Sequence, residues 1–295
     1  MPIKDPSPER CPLENLQNAR DKPVSSALDL PKISVIIVTK NEAARIERCL
    51  KALEGFDDIW VVDSGSTDGT PAIAKQAGAH VVDFQWDGCY PKKRQWCLDT
   101  LTLAHDFVFF PDADEIVPPA LIREMKALDL TKAGYFIKGR YVFAGKTLRY
   151  GLQNNKLALL DRRKMAFPVV DDLDASGMGE IEGHYQPILK PGYKSEEIGQ
   201  LQTPLLHEAY EDEAGWQARH ERYARWEQAM SRKNAWPQDP DPKRERLKRF
   251  FRTVPFRPLI AFIHCYVLKL GFLDGQAGFC FACSRFRYYR MIRRL

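Results

Sequence analysis

Two carboxylates one residue apart, Asp112 and Asp114, directly follow the apolar run Phe107-Val-Phe-Phe110. A buried strand ending in Asp112-Ala-Asp-Glu115 aims acidic oxygens out of the carboxyl edge of a sheet, where open α/β sheets bind ligands. Hard divalent cations take oxygen ligands and share them with substrate phosphates. The chemistry this pattern points to is therefore Mg2+ or Mn2+ beside a diphosphate. Asp172-Leu-Asp174 and Asp239-Pro-Asp241 repeat the spacing without a strand in front, so context singles out the first pair.

Such a site needs strands that end at one edge. Ile33–Thr39 is a β-branched run of the kind buried on both faces, and Ile59–Val62 and His80–Asp83 are further short strands. Between them, Ile46, Cys49, Leu50 and Leu53 form one helical stripe, and Thr70 with Pro71 opens a second helix that Gly78 ends. Residues 91–103 read as a third helix. Strands alternating with helices predict a three-layer α/β fold around a mostly parallel sheet, and after residue 130 the pattern turns less regular, with strands over Tyr135–Phe143 and Leu157–Leu160. Thr39, Asp63 and Asp112/Asp114 then share one edge.

Val35-Ile-Ile-Val-Thr-Lys-Asn-Glu42, Val61-Val-Asp-Ser-Gly-Ser-Thr-Asp-Gly-Thr70 and Asp112-Ala-Asp-Glu115 resemble, in order and spacing, the front half of family 2 glycosyltransferases of the GT-A fold. The likeness is strongest to the bacterial branch that builds lipopolysaccharide core and related envelope glycans. It covers roughly residues 32–120, continuing more faintly through Gly179-Glu-Ile-Glu-Gly-His-Tyr-Gln-Pro187 and Pro204-Leu-Leu-His-Glu208. The resemblance implies an inverting, metal-dependent transfer from a nucleotide-sugar donor to a glycan or glycolipid acceptor. It implies that Thr39, Asn41, Glu42, Asp63, Lys93 and Asp112 bind the nucleotide, and that Asp114 with Asp112 binds the metal. Arg94 stands where the family often has a small polar residue. His207 matches a histidine near metal or diphosphate. Glu180 is the candidate general base, although Gly179 stands where the related motif has histidine; Glu182 and Asp174 are its rivals. Asp68 has turn chemistry as an equal explanation, since Asp and Gly crowd tight loops.

The expected organisation is a loose arm over residues 1–30 and a GT-A catalytic domain over 31–210, divided into a nucleotide-binding half (31–115) and an acceptor half (116–210). A helical segment over 211–254 and amphipathic basic helices over 255–295 follow. Trp216, His220, Tyr223, Trp226, Glu227 and Met230 recur at helical spacing, which reads as core packing.

The formal charge of +5 conceals a division: residues 1–242 hold 31 Lys+Arg against 37 Asp+Glu, and residues 243–295 hold 13 against 2. A basic end on an acidic body suits an anionic partner, either phospholipid or nucleic acid. The apolar run Leu259–Leu273 within it favours a membrane surface and argues against nucleic acid. Seven cysteines without a repeating spacing argue against a disulfide scaffold, and Cys280-Phe-Ala-Cys283 lacks a second pair. No apolar signal core opens the chain, and no 18-residue uncharged apolar run occurs. The expected location is cytoplasmic and peripheral, at the inner face of the cell membrane. Competing readings are an inactive GT-A scaffold, and a sugar nucleotidylyltransferase, whose Gly-rich basic loop is replaced here by Thr39-Lys-Asn-Glu42.

Overall fold

The computed structural model describes residues 31–143, 145–175, 178–182, 185–194, 197–208 and 213–294; the expected N-terminal arm and His184 lie outside these residues. The first half alternates as the hydrophobic pattern requires: β1 (Ile33–Thr39), α1 (Ala43–Lys51), β2 (Ile59–Asp63), α2 (Thr70–Gln76), β3 (His80–Asp83), α3 (Lys93–Thr100) and β4 (Phe107–Phe109). These four strands lie in the order β3-β2-β1-β4, all parallel. From β1 the chain passes to β2 on one side and later returns to β4 on the other. The crevice of a doubly wound sheet opens at that reversal, which here lies between Thr39 and the Asp112 turn.

Period-2 alternation explains why both faces of the sheet are covered. Val35 and Ile37 pack with Ile46 and Leu53 of the α1 segment and Ala74 of α2, while Ile36 and Val108 pack with Cys97 and Leu98 of α3 on the opposite face. The third helix begins at Lys93, two residues later than its pattern suggests, because Lys92 is extended.

Beyond β4 the sheet becomes mixed, in keeping with the mostly parallel sheet expected. There follow β5 (Glu115–Ile116), α4 (Pro119–Lys126), β6 (Gly134–Phe143), β7 (Lys146–Thr147), β8 (Asn154–Asp161), β9 (Met165–Ala166), β10 (Ile188–Leu189), β11 (Ile198–Gln200) and β12 (Leu205–His207). The main sheet continues β4-β8-β6-β12-β5, with β8 antiparallel to both β4 and β6. Only ten residues separate β6 from β8, too few for the crossover that parallel neighbours need. Parallel pairing returns where β12 joins β6.

Four helices complete the chain: α5 (Glu213–Lys233), α6 (Pro242–Thr253), α7 (Arg257–Ile263) and α8 (Gly275–Arg294), the last two joined through a π turn at His264–Leu268 and a 3-10 turn at Gly271–Asp274. The aromatic stripe of α5 is core, as its spacing predicts: Trp216, Trp226 and Met230 are buried, and Trp216 packs with Tyr288 and Ile292 of α8. Cys265, Phe281 and Ala282 pack on Phe143 and Leu148. The Asp274 carboxylate accepts from the backbone N–H groups of Arg149 (3.2 Å) and Tyr150 (2.8 Å). The C-terminal helices are thus fastened to the sheet domain.

The two other Asp-x-Asp sequences serve local structure. Asp241 caps α6, accepting from the N–H of Lys243 at 2.8 Å, and Asp239 pairs with Lys248 at 2.6 Å. Asp174 is exposed and pairs with Lys233, which sets it apart from the base role considered for it. Asp172 is fully buried with Lys92 at 2.8 Å and also accepts from Tyr90 (2.7 Å) and the Trp226 indole (2.9 Å). Removing one partner of a buried ion pair strands the other charge. Asp172→Asn is expected to lower unfolding stability by about 3 kcal/mol in urea titrations; a loss below about 1 kcal/mol would show that Lys92 finds water or another partner.

Candidate active site

Two loops at the carboxyl edge are stitched together by side chains. Asn41 adopts a left-handed conformation (φ 57°), which its short polar side chain tolerates. Its N–H donates to Ser66 Oγ at 2.7 Å, and its Oδ1 accepts from the Thr67 N–H at 2.9 Å. The next two N–H groups follow suit: Glu42 donates to Thr70 Oγ1 at 2.8 Å and Ala43 to Asp68 Oδ2 at 2.9 Å. The exposed N-terminus of α1 is therefore capped by the loop after β2. This accounts for Asp68 as turn chemistry. The Glu42 side chain turns to Arg45 (2.7 Å).

Asp63, buried at the end of β2, accepts from the Ser66 N–H (2.7 Å), the Ser66 hydroxyl (2.5 Å) and the Thr39 hydroxyl (3.1 Å). It braces the loop and, with Thr39, forms the wall of the crevice. Lys93 closes that wall: its Nζ lies 3.0 Å from Glu180 Oε1 and 3.5 Å from the Thr39 carbonyl. Burial pushes the Glu180 carboxyl up, but the neighbouring Ser64 hydroxyl and the Lys93 ammonium outweigh it and hold the group below its usual range. Glu180 is thus an anion partnered to Lys93, with little proton affinity while that contact lasts.

Glu182 differs from expectation more sharply. Its Oε1 accepts from the N–H groups of Arg94 (2.7 Å) and Gln95 (3.2 Å), so it caps α3, whose own N-cap residue provides no side-chain acceptor. The side chain is buried and holds the helix end, a structural part that its sequence context did not announce.

The acidic turn is where most charge converges. Antiparallel pairing of β5 with β12 sets His207 opposite Glu115. Asp112 is held by Arg94 (2.8 Å) and by Lys156 (2.7 Å), and Lys156 also reaches the fully buried Glu115 at 2.6 Å. Asp114 Oδ2 lies 3.6 Å from His207 Nε2 and 3.7 Å from Arg219 of α5. Desolvation pushes the Asp112 carboxyl up, yet Lys156 and then Arg94 hold it well below the usual range. Asp114 is raised, by desolvation first and by the charges of Asp112 and Glu115, with His207 opposing. Burial lowers the His207 imidazole, but Asp114 foremost, and then Glu115, raise it overall.

Whether a divalent ion suits these donors rests on His207. Its Nδ1 and Glu115 Oε1, both buried and without hydrogen-bond partners, face each other at 3.3 Å. A carboxylate on one ring nitrogen orients the other, a common support for a metal-binding histidine. Here that other nitrogen faces Asp114. A carboxylate crowded by two more carboxylates gains most from an added cation. Asp114 and His207 therefore fit an ion held by few protein donors and completed by phosphate oxygens and water. Among the described residues no group of three acidic, histidine or cysteine donors forms a closed metal cage.

The structure brings Asp112, Asp114 and His207 together, and it places Thr39 beside both Asp63 and Lys93, with Glu180 on Lys93. Sequence reasoning missed Lys156 and Arg219 and left Arg94 without a role. A lysine inside the apolar strand Asn154–Asp161 was a readable signal, since burial of an ammonium demands a partner. Arg219 lies one turn from Trp216, but only tertiary packing shows that this turn faces Asp114. Tyr141 packs at a tilt against His207 (5.3 Å) and Phe281 of α8 against Tyr141 (4.8 Å), so the C-terminal helices back this cluster.

A parallel α/β half with an acidic turn at its switch point, and an antiparallel half carrying a histidine to that turn, define a GT-A-type fold. Residues 34–186, more than half of the chain, match the model of Glycosyl transferase family 2, and the chain belongs to that family. It is 41% identical over 98 residues to an uncharacterized glycosyltransferase of Rickettsia felis (33% of this chain, 34% of the relative). It is 35% identical over 99 residues to the lipopolysaccharide core biosynthesis glycosyltransferase LpsC of Rhizobium meliloti (31% of this chain, 36% of the relative). The matches thus span about a third of the length of these curated relatives. Among solved structures, S. aureus TarS 1-349 aligns over 88% of this chain and 91% of its own at 16% identity and a TM-score of 0.41. Glucosyl-3-phosphoglycerate synthase of Mycobacterium tuberculosis, crystallised with Mn2+, UDP-glucose and phosphoglyceric acid, aligns over 70% and 80% at 21% identity and a TM-score of 0.38.

Burial raises the Glu182 carboxyl above its ordinary 4.5, with Arg94 opposing. A raised folded-state value contributes stability that is complete below about 4.5 and lost as pH rises through that raised value. Glu182→Gln keeps the Oε1 acceptor and removes the buried ion. The variant is expected to melt no lower than the parent at neutral pH, with a shallower decline across weakly acidic pH, and to keep its turnover. A drop in kcat of about 100-fold or more would instead restore Glu182 as a base.

Proposed function

We propose that the protein is an inverting, metal-dependent glycosyltransferase that moves a sugar from a nucleoside-diphosphate donor to an envelope glycan, in the form of lipopolysaccharide core, exopolysaccharide or a lipid-linked acceptor. The observation that carries this reading is the convergence of Arg94, Lys156, Arg219 and His207 on Asp112 and Asp114 at the switch point. The likeness to LpsC supports the choice of acceptor, and the family resemblance supports inversion.

Thr39, Asp63 and Lys93 line the base and phosphate end of the donor cleft, with Asn41 and Glu42 holding the loop that shapes it. Asp112 stays ionised between Arg94 and Lys156 and meets the ribose or the metal's surroundings. Asp114 and His207 would hold Mg2+ or Mn2+, which when bound offsets negative charge on the departing diphosphate. In the transfer, the acceptor hydroxyl oxygen bonds to the anomeric carbon while the bond from that carbon to the diphosphate oxygen breaks. The electron pair leaves with the diphosphate, and the hydroxyl proton passes to a general base. Glu180 takes that part once Lys93 turns from it to donor phosphate, because losing the ammonium raises its proton affinity.

Two measurements test this. In a thermal-shift panel of UDP, GDP, CMP and TDP with and without Mn2+, one nucleotide should stabilise the wild type only with metal, by about 2.7 kcal/mol at a hundredfold Kd. Asp114→Ala should abolish the shift, and the absence of any shift would favour an inactive scaffold. Separately, Glu180→Gln is expected to lower kcat by about 100-fold or more with donor affinity nearly unchanged. Weakened donor binding with kcat preserved would reduce Glu180 to a support for Lys93.

A further inference from the structure

The α7 segment packs inside out. Its fully buried residues are small, Pro258, Ala261 and Cys265, with Phe262 and Tyr266 partly buried beside them, while the aliphatic Leu259, Ile260, Ile263 and Val267 face outward. An ordinary helical hairpin covering a sheet turns its large aliphatic residues inward. The pattern continues past the helix: Leu268 is 69% exposed, and Phe272 and Phe279 are exposed beyond it. Among the described residues, twelve of the seventeen exposed large hydrophobics lie between Leu247 and Phe279. Contiguous exposed apolar surface of this kind marks an interaction site.

Charge identifies the partner. From Arg246 to Arg294 there are eleven Lys and Arg and one acid, Asp274, which is buried. A cleft of about 370 Å³ is lined by Phe256, Pro258, Leu259 and Phe286 on its apolar side and by Arg290, Arg293 and Arg294. Among the described residues none of these three arginines meets a carboxylate. Because Phe256 and Leu259 belong both to this cleft and to the exposed apolar stripe, the arginines border the stripe directly.

We infer that this face docks in the plane of an anionic phospholipid bilayer, with the apolar stripe of α7 and the following turns entering the interface and Arg290, Arg293 and Arg294 gripping lipid phosphates. An apolar face bordered by arginines that snorkel to phosphate is the arrangement of an interfacial helix. Surface docking suits the geometry better than a crossing. Among the described residues no single helix is long and apolar enough to span, and Arg257–Leu268 meets Gly271–Arg294 at a 70° bend. The inner side of the pair is already packed on Phe143, Leu148 and α5. The two arms of the bend approach closely, since a Cβ on Gly278 would stand 1.9 Å from the Gly271 carbonyl oxygen. Lys146 donates to the Asp274 carbonyl at 2.8 Å, tying the tip to the sheet domain.

The test is sedimentation of the full-length chain, without nucleotide, with phosphatidylcholine vesicles that contain or lack phosphatidylglycerol. The wild type is expected to bind the anionic vesicles and to release as salt shortens the Debye length from about 10 Å to a few ångströms. Arg290→Glu/Arg293→Glu/Arg294→Glu should weaken binding by about 30-fold or more. Leu259→Ser/Ile263→Ser/Leu268→Ser should also lose binding, and melting temperatures near the parent's would verify that both variants fold. Parent-like vesicle binding by both variants would overturn the inference, as would no binding by the wild type. So would a lipid-free dimer dissolved by the serine variant, or capture of single-stranded oligonucleotide, without vesicle binding.

Discussion

Three carboxylates at the end of one strand repel one another, and such an acidic turn persists only where opposite charge is brought to it. In this protein that charge comes from four elements. Arg94 arrives on α3, Lys156 on β8, His207 on β12 and Arg219 on α5. The requirement ties the two halves of the sheet together, because β8 and β12 belong to the mixed half while the turn belongs to the parallel half. It also draws the C-terminal helices into the site. Without α5 the Asp114 oxygen would lose its arginine neighbour, and without α8 the Tyr141 ring behind His207 would lose Phe281.

The same economy governs the donor side. A loop that must present polar groups to a ligand cannot bury its own backbone donors unsatisfied. Asn41, Ser66, Asp68 and Thr70 resolve this by capping across two loops, so the crevice wall is set before any ligand arrives. Preorganisation of this kind lowers the ordering cost of binding. Glu182 contributes at longer range by capping α3, the helix that carries both Lys93 and Arg94. One buried carboxylate thereby fixes the start of that helix.

The C-terminal helices serve two surfaces at once. Their inner side, through Phe281 and Tyr288, supports the histidine and the buried Glu227, whose carboxylate takes bonds from Tyr288 (2.7 Å) and Arg257 (3.2 Å). Their outer side is apolar and basic. The close approach of Gly278 to Gly271 and the hydrogen bonds of Asp274 join these helices to the sheet domain.

Much of the first half was legible in the residues themselves. Buried parallel strands read as β-branched runs, and the helices between them show a 3.6-residue period, so local pattern and final structure coincide from Ile33 to Phe109. The acidic turn was legible for the same reason: a strand in front of Asp112 distinguishes it from Asp172 and Asp239. Partners were not legible where they depend on contacts distant in the chain. Nothing adjacent to Glu182 announces that it caps α3, and nothing near Arg219 points to Asp114, because pairing across more than 80 residues is set by how layers pack. The sequence shows a less regular region after residue 130 but not which neighbours there run antiparallel, since apolar strands look alike whichever direction they pair. By itself, then, the sequence determined the strands, the carboxylates and the basic end, all written in local periodicity and composition. Only the tertiary structure decided which cation neutralises which carboxylate and which helix face remains outside, because electrostatic pairing and burial are properties of distances in space.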